Sequence, residues 1–497
     1  MATGVKEASL VLPAPRAETT PRWWALALRL KQMFGVDRAI AYTVLARVVQ
    51  ILGSTGTVLL IVHFLTYIEQ GYYYTLLSLV SLQTVFELGF SFVILQMAAH
   101  ECAHLTLHAD GRIEGDAMAY ARLASILQKT LRWYLVAAAI LCVALMPLGV
   151  YFFSRQVHTP AAVAWHGPWV LAVLAIAIWF LVNPFVSFLE GCGQVWQVAR
   201  MRLGQALCAL AMSWGSLLVH HGLYAPAMVT SGCAAVVAAF LWSRRRLLMA
   251  LLRQPICQGA VSWRAEVWPF QWKIAMSWLC SYFTIQIFTP VLFVYRGPTE
   301  AGQLGMSLSI TTSLSTLVLA WMSTKATPFG QMIARTEYRQ LRGLFLRTLN
   351  QALVLLVGMA AACELAMIAL HYLFPRLAAR MVSPQIFVLL LLTCVSAFVV
   401  QSMAIYLRSF KREPFLFQSI VIAALSILLL FLTVRTFGTA GVALSYFLCT
   451  GIVGMIFAAT IFRSWHGGRR GAACNPLTGE TSGSCKLKRH STAENNS

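Results

Sequence analysis

The sequence predicts an all-α polytopic membrane protein with about twelve transmembrane helices in two six-helix pseudo-repeats. Three observations carry this expectation. Only 11% of the 497 residues are charged and 59% are hydrophobic, whereas a soluble protein carries about 25% charged residues. The apolar residues come in long blocks with few charges, and a run of about 18 or more is long enough to cross a bilayer. The pattern of the first half then recurs in the second. Such blocks are too long for barrel strands, and helices satisfy their own backbone hydrogen bonds in lipid.

The blocks fall roughly at 39–66, 70–97, 131–153, 168–190, 198–219, 223–243, 272–296, 300–326, 346–373, 385–408, 414–434 and 438–462, with ends good to about 2–4 residues. A cytoplasmic linker at 244–271 separates an N-terminal bundle (39–243) from a C-terminal one (272–462). Residues 1–38 form a cytoplasmic tail. Within it, PRWWALALRLKQMFG (21–35) mixes Trp and Leu with Arg22, Arg29 and Lys31, the composition of a helix lying on a membrane surface. Residues 463–497 are rich in Gly, Ser and Lys and read as a disordered cytoplasmic tail. No secretory signal peptide is expected, because residues 1–20 are polar and lack an apolar core.

The net charge of +21 invites a nucleic-acid reading, but its distribution argues otherwise. With the N-terminus in the cytoplasm and the helices alternating, most of the 38 Lys and Arg fall in the tails or the even-numbered connections. That is the positive-inside bias, and the basic surface then faces anionic membrane lipids. The aromatic residues gather at block ends and do not interleave with the basic ones, so no nucleic-acid partner is expected. The twelve cysteines include no CxxC pair, and most lie within blocks. This suggests neither a disulfide framework nor a zinc ribbon, and no cofactor is implied.

EQGYYYTLLSL (69–79) opens the second block and EAGQLGMSLSI (300–310) opens the eighth. Glu69 aligns with Glu300, Gly71 with Gly302, Leu77 with Leu308 and Ser78 with Ser309. The same offset of about 230 residues carries the first block onto the seventh, which makes parallel six-helix repeats of the kind found in secondary transporters. Glu69 and Glu300 are expected to cap their helices, since acids favour helix N-termini.

QMAAHECAHL (96–105) contains His-Glu-x-x-His at His100, Glu101 and His104. On a helix the two histidines share a face and can grip zinc, with the glutamate as general base. A catalytic zinc needs a third ligand and an open position. Asp110, Glu114 and Asp116 follow only in a polar connector. The repeat, after a shift of four residues, places His100 opposite Arg335 in QMIARTE (331–337). The expected reading is an amphipathic elbow with no metal and no catalytic residues, and a membrane zinc protease is the rival of another class. His100→Ala and Glu101→Gln are then expected to leave function intact.

TPFGQMIARTEYRQLRGLFLRTL (327–349), FLEGCGQVWQVARMRL (188–203), YLRSFKREPFLF (406–417) and EQGYYYTLLSLVSLQTVFELGF (69–90) resemble connections and helix starts of the multidrug/oligosaccharidyl-lipid/polysaccharide (MOP) flippase superfamily. The last resembles its polysaccharide-transporter (O-antigen flippase-like) branch. The resemblance covers about 39–462 and implies a MATE-like, V-shaped pair of six-helix bundles. It also implies alternating access, a place in polysaccharide or lipopolysaccharide biosynthesis in a bacterial inner membrane, and no enzymatic activity. The implied partner is a polyprenyl-diphosphate-linked oligosaccharide moved across the membrane. A cation-coupled multidrug exporter on the same fold is the alternative, but it would want a compact acidic site.

A charge within a span costs about 2.5–3.5 kcal/mol on the insertion scale, so it needs a partner or a wet cavity. Arg47 is the clearest case. Arg47, Gln50, Ser54 and Thr57 follow helical spacing and make one polar stripe. In one reading the stripe lines the cavity and Arg47 engages a diphosphate through its planar fork. In the other, Arg47 pairs with Glu87 and locks the first two helices together. Glu87 and Glu364 are candidates for coupling to a proton or ion gradient, because a buried acid without a cation can exchange protons. Lys325 is expected to snorkel. Lys273, Arg335 and Arg244–Arg246 are expected to anchor the cytoplasmic side; the alternative reading has them gather anionic lipid-linked substrate at the membrane face.

Overall fold

A computed structural model describes residues 38–473, except 88, 103, 108–112, 155–162, 256–261, 263–267, 324, 326, 327, 330, 331, 334–336 and 411–414. The interfacial helix expected at 21–35, residues 474–497 of the expected tail and Arg335 lie outside the described residues, while residues 463–473, expected to be disordered, continue the last helix. The chain runs α1 (Arg38–Phe64), α2 (Tyr67–Val80), α3 (Gln83–Glu87) and α4 (Phe90–Cys102), then a short hairpin of β1 (Leu105–Leu107) and β2 (Ile113–Gly115). There follow α5 (Ala117–Ser154), α6 (His166–Gly191), α7 (Val195–Leu218), α8 (Ala225–Ser243) and α9 (Arg245–Arg253). The second half holds α10 (Trp268–Ile285), α11 (Phe288–Arg296), α12 (Pro298–Ser323), α13 (Tyr338–Leu373), α14 (Pro375–Ala378), α15 (Pro384–Arg408) and α16 (Leu416–Tyr446). A π-helical segment (Phe447–Val453) and α17 (Gly454–Ala473) complete it. The protein is an all-α polytopic membrane protein.

Among the described residues, 8 helical stretches are long and apolar enough to cross a membrane, and the difference from twelve blocks has physical causes. The second block is broken into α2, α3 and α4, with Gly89 at φ 67 between the last two. The seventh is divided between α10 and α11. The fifth, α7, is continuous but carries Arg200 and Arg202 and is rich in polar residues. The eleventh and twelfth merge into one stretch, Leu416–Ser464. Gly438 interrupts that stretch at φ 53, ψ −131, a backbone region that glycine enters without a Cβ clash. Thr433 and Ser445 hydroxyls lie 3.0 Å apart across the interruption, although twelve residues of straight helix span about 18 Å. The chain therefore doubles back at Gly438.

In the first half α1 packs on α7, α7 and α6 on α8, and α4 and α5 on α6. In the second half α10 and α11 pack on α16, and α12 and α13 on α15. The halves meet chiefly where α2 lies along α12. Lipid supplies no hydrophobic drive for that contact, so small residues that let backbones approach must supply it. A Cβ on Gly71 would fall 2.0 Å from the Pro298 carbonyl oxygen, and one on Gly302 would fall 2.8 Å from the Gly71 nitrogen.

One local expectation is revised, and two connections gain detail. Thr66 and Glu69 form a reciprocal capping box on α2, as expected of Glu69, but Glu300 does not cap α12. Its Oε2 accepts from the Thr439 N–H (3.1 Å) and hydroxyl (2.9 Å), and so caps the returning half of α16 just after Gly438. The polar connector after His104 begins and ends in a two-stranded ladder pairing Leu105 with Gly115. The linker opens with the amphipathic α9, which buries Leu247, Leu248 and Leu251. Gln128 of α5 donates to the carbonyls of Leu251, Leu252 and Gln254, which pins the C-terminus of α9 to the first bundle.

Candidate functional site

Arg47, Gln50, Ser54 and Thr57 all line one cavity of about 630 Å³ inside the first bundle. The stripe on α1 forms one wall. Trp179 and Asn183 of α6, Arg202, Gln205 and Ser213 of α7, and Tyr73 and Tyr74 of α2 form others. Ser309 of α12 contributes from the second half. Two guanidinium groups face this space and, among the described residues, no carboxylate lines it.

Arg47 Nη1 donates to Gln50 Oε1 at 3.2 Å, one turn along the same helix, and most of its five N–H donors remain for a ligand. The Ser54 and Thr57 hydroxyls donate to the carbonyls of Ile51 and Gly53, each at 2.8 Å. Their donors are spent on the helix. Thr57 Oγ1 also accepts from the Trp214 indole at 3.1 Å, which fastens α1 to α7. The Arg202 Nη2 lies 2.6 Å from Glu190 Oε2, so the carboxylate at the end of α6 holds one edge of this guanidinium.

The Arg47–Glu87 pair is not formed in this conformation. Glu87 Oε1 instead accepts from the Ser91 hydroxyl at 2.6 Å, across the break between α3 and α4. Glu364 lies on α13, outside the cavity, and its Oε2 is buried with no hydrogen-bond partner. The structure thus gathers the four α1 residues and leaves the two acids apart from them.

Arg202 is the charged cavity residue that sequence reasoning missed, along with polar neighbours such as Asn183 and Gln205. It sits in the first turns of α7 near Arg200, and such pairs at a span's edge ordinarily read as headgroup anchors. The asymmetry between them is the usable signal. Arg200 stacks on Trp196 at 5.7 Å, whereas Arg202, two positions on, points to the polar face that carries Gln205 and Ser213.

At one end of the cavity, Ile61, Tyr73 and Tyr74 of its lining pack with Leu65 and Met306 in a buried apolar cluster. Past it the two halves are tied at the end away from the start of α1. The Tyr67 hydroxyl donates to the Arg376 carbonyl (2.8 Å). Gln70 Nε2 donates to the carbonyls of Gly302 (3.0 Å) and Arg380 (2.9 Å). The Arg380 guanidinium returns a bond to Gln70 Oε1 (3.3 Å) and stacks on Tyr67 at 4.6 Å. Burial lowers the pKa of this guanidinium, while Tyr67 and Glu69 oppose that shift. The cluster and the tie close that end of the cavity.

The His-Glu-x-x-His segment has a structural use. Glu101 has a side chain only 7% exposed and receives Arg122 Nε of α5 at 2.8 Å, while His100 is 79% exposed. The glutamate that would serve as general base is an anchor between α4 and α5. Among the described residues no group of three or more His, Cys, Asp or Glu is placed to hold a metal ion.

Neither a family model nor a curated protein matches the sequence. Solved structures do match. A MATE multidrug transporter, DinF-BH, solved as a complex, aligns at TM-score 0.57 and 13% identity over 87% of this chain and 95% of its own. A MOP superfamily transporter from Pyrococcus furiosus Vc1 (DSM3638) aligns at TM-score 0.52 and 13% identity over 88% and 95%. A MATE in complex with MaD3S aligns at 0.51 and 14% over 88% and 97%. The chain has the MATE fold.

Proposed function

We propose that this MATE-fold chain is a transporter that flips a polyprenyl-diphosphate-linked oligosaccharide from the inner to the outer leaflet by alternating access. The observation that carries the reading is the cavity's charge: Arg47 and Arg202 face it and, among the described residues, no carboxylate lines it. Guanidinium groups suit a diphosphate, which they can engage through paired N–H donors. The amides and hydroxyls around them suit a hydroxylated glycan. A cationic drug would meet the Arg47 charge there, and the carboxylate that offsets Arg202, Glu190, does not line the cavity. The P. furiosus relative in fold is itself described as having a binding pocket of reverse polarity that suggests a different function.

In this reading the lobes 39–243 and 272–462 rock about the α2–α12 contact. The basic face, with both termini, is cytoplasmic, and the membrane is a bacterial inner membrane. Glu87 and Glu364 are the groups we assign to coupling with a proton gradient or the membrane potential. Support comes from their lack of a cationic partner among the described residues. The test is a strain without the protein. Lipid-linked oligosaccharide should accumulate on its inner leaflet, and Arg47→Ala should not relieve the accumulation. An unchanged leaflet distribution in the deletion strain would overturn the reading.

A further inference from the structure

The second bundle contains a cavity of its own, about 320 Å³, between α10, α15, the first turns of α16 and the π-helical segment. Gln418, Thr450, Gln401 and Arg408 supply most of its polar lining, and among the described residues no carboxylate lines it. Gln418 is 2% exposed. Its Nε2 donates to the Gly454 carbonyl at 2.9 Å, which turns the side chain so that Oε1 is left without a partner. Thr450 Oγ1 is buried and unpartnered as well. A buried acceptor left unmet is costly, so two in one cavity mark a place where a ligand donor is favoured. Thr450 stands in the π-helical segment, a geometry that recurs at functional sites.

We propose that this cavity receives sugar hydroxyls of the transported glycan while the diphosphate sits with Arg47 and Arg202. The assignment rests on the function proposed above. A sugar hydroxyl can donate to Gln418 Oε1 or Thr450 Oγ1 and accept from Arg408, because each hydroxyl is both donor and acceptor. A cation would find no charge to balance it, and an apolar group would leave both acceptors unmet. The placement is consistent. Arg408 ends α15 and Gln418 begins α16, so the cavity lies toward the membrane face at which α1 and α7 begin, the same face as Arg47 and Arg202. One lobe then holds the charge of the substrate and the other reads its sugar.

The test compares two probes on purified full-length protein in nanodiscs: polyprenyl diphosphate without sugar, and the same lipid carrying an oligosaccharide. Wild type should prefer the glycosylated lipid by roughly tenfold or more, since neutral hydrogen bonds contribute about 0.5–1.5 kcal/mol each. Gln418→Met and Gln401→Leu should each cut that preference severalfold by weakening the glycosylated lipid alone. Gln401 is exposed, so its substitution keeps the test valid if Gln418→Met folds poorly. Arg47→Ala should weaken both probes together. Wild-type binding to both lipids with equal affinity, or a preference unmoved in both variants, overturns the sugar assignment and leaves the diphosphate reading standing. Failure of wild type to bind either lipid overturns both.

Discussion

Gly71 and Gly302, aligned by the internal repeat, lie against each other at the crossing of α2 and α12. The residues that make the two halves recognisable as copies are also those that let them touch. Replacing Gly302 with Ala forces its new Cβ to 2.8 Å from the Gly71 nitrogen, where only backbone can give way. Overpacking of this kind costs about 1–3 kcal/mol. We expect Gly302→Ala to lower the thermal midpoint of the detergent-solubilised protein, whereas Gly343→Ala, whose new Cβ meets open space beyond its own helix, should not. Equal midpoints would show that the crossing is looser than described.

Arg47→Ala should reduce transport per folded molecule roughly ten- to a hundredfold, since each hydrogen bond to a charged group is worth about 1.5–3 kcal/mol. Arg47→Lys should keep part of the activity, because a lysine retains the charge but not the fork. Glu87 is paired with Ser91 and not with Arg47, so Glu87→Gln added to Arg47→Ala should restore nothing. Recovery in the double variant, measured by flipping in proteoliposomes, would return Arg47 to a structural role.

Glu190→Gln should free the Arg202 guanidinium from the carboxylate 2.6 Å away. The pair is partly exposed, so its worth to stability is small, about 0–1 kcal/mol. The expected effect is on the ligand: tighter binding of diphosphate lipid, with little change in protein abundance. Weaker binding would mean that Glu190 is needed to orient Arg202.

His100→Ala should be silent, but Glu101→Gln should not. Sequence reasoning expects both to leave transport largely intact and says nothing of stability. The structure separates them, because Glu101 is the buried partner of Arg122. Removing one member of such a pair costs on the order of 3 kcal/mol. We expect a lower unfolding midpoint for Glu101→Gln and recovery in Glu101→Leu with Arg122→Met. A Glu101→Gln protein as stable as the parent would contradict the anchor.

Gln70→Ala should loosen the tie at the end away from the start of α1, the outer end in the proposed orientation. A cysteine placed at Ser309, which lines the cavity, should then react several times faster with a membrane-impermeant thiol reagent added from the outer side. An unaltered rate would assign the seal to the apolar cluster around Tyr73 and Met306 alone.

How far the sequence could be read depended on the distance over which each signal acts. The stripe from Arg47 to Thr57 is legible because helical spacing is local and the surrounding span is apolar. The capping box at Thr66 and Glu69 is legible for the same reason. Glu300 has the same residue type in the same repeat slot, yet its carboxylate serves Thr439, which only the doubled-back chain brings near. Arg202 was hidden by its neighbour Arg200, and Gln418 by looking like any polar residue at a helix start. The tie between Gln70 and Arg380 joins residues with nothing between them in sequence to suggest a meeting.

That tie has an unusual division of chemistry. Three side chains, of Tyr67, Gln70 and Gln303, reach toward α14 and the residues just after it. Every acceptor they find there is a main-chain oxygen, of Arg376, Ala379 or Arg380. A backbone oxygen survives almost any substitution at its own residue. The segment from 376 to 379 can therefore drift in sequence while the closure persists, provided its path is kept. Tyr67 and Gln70 have no such freedom. Evolution should leave an uneven record here, with side chains held nearly constant on one rim and only a backbone shape held constant on the other.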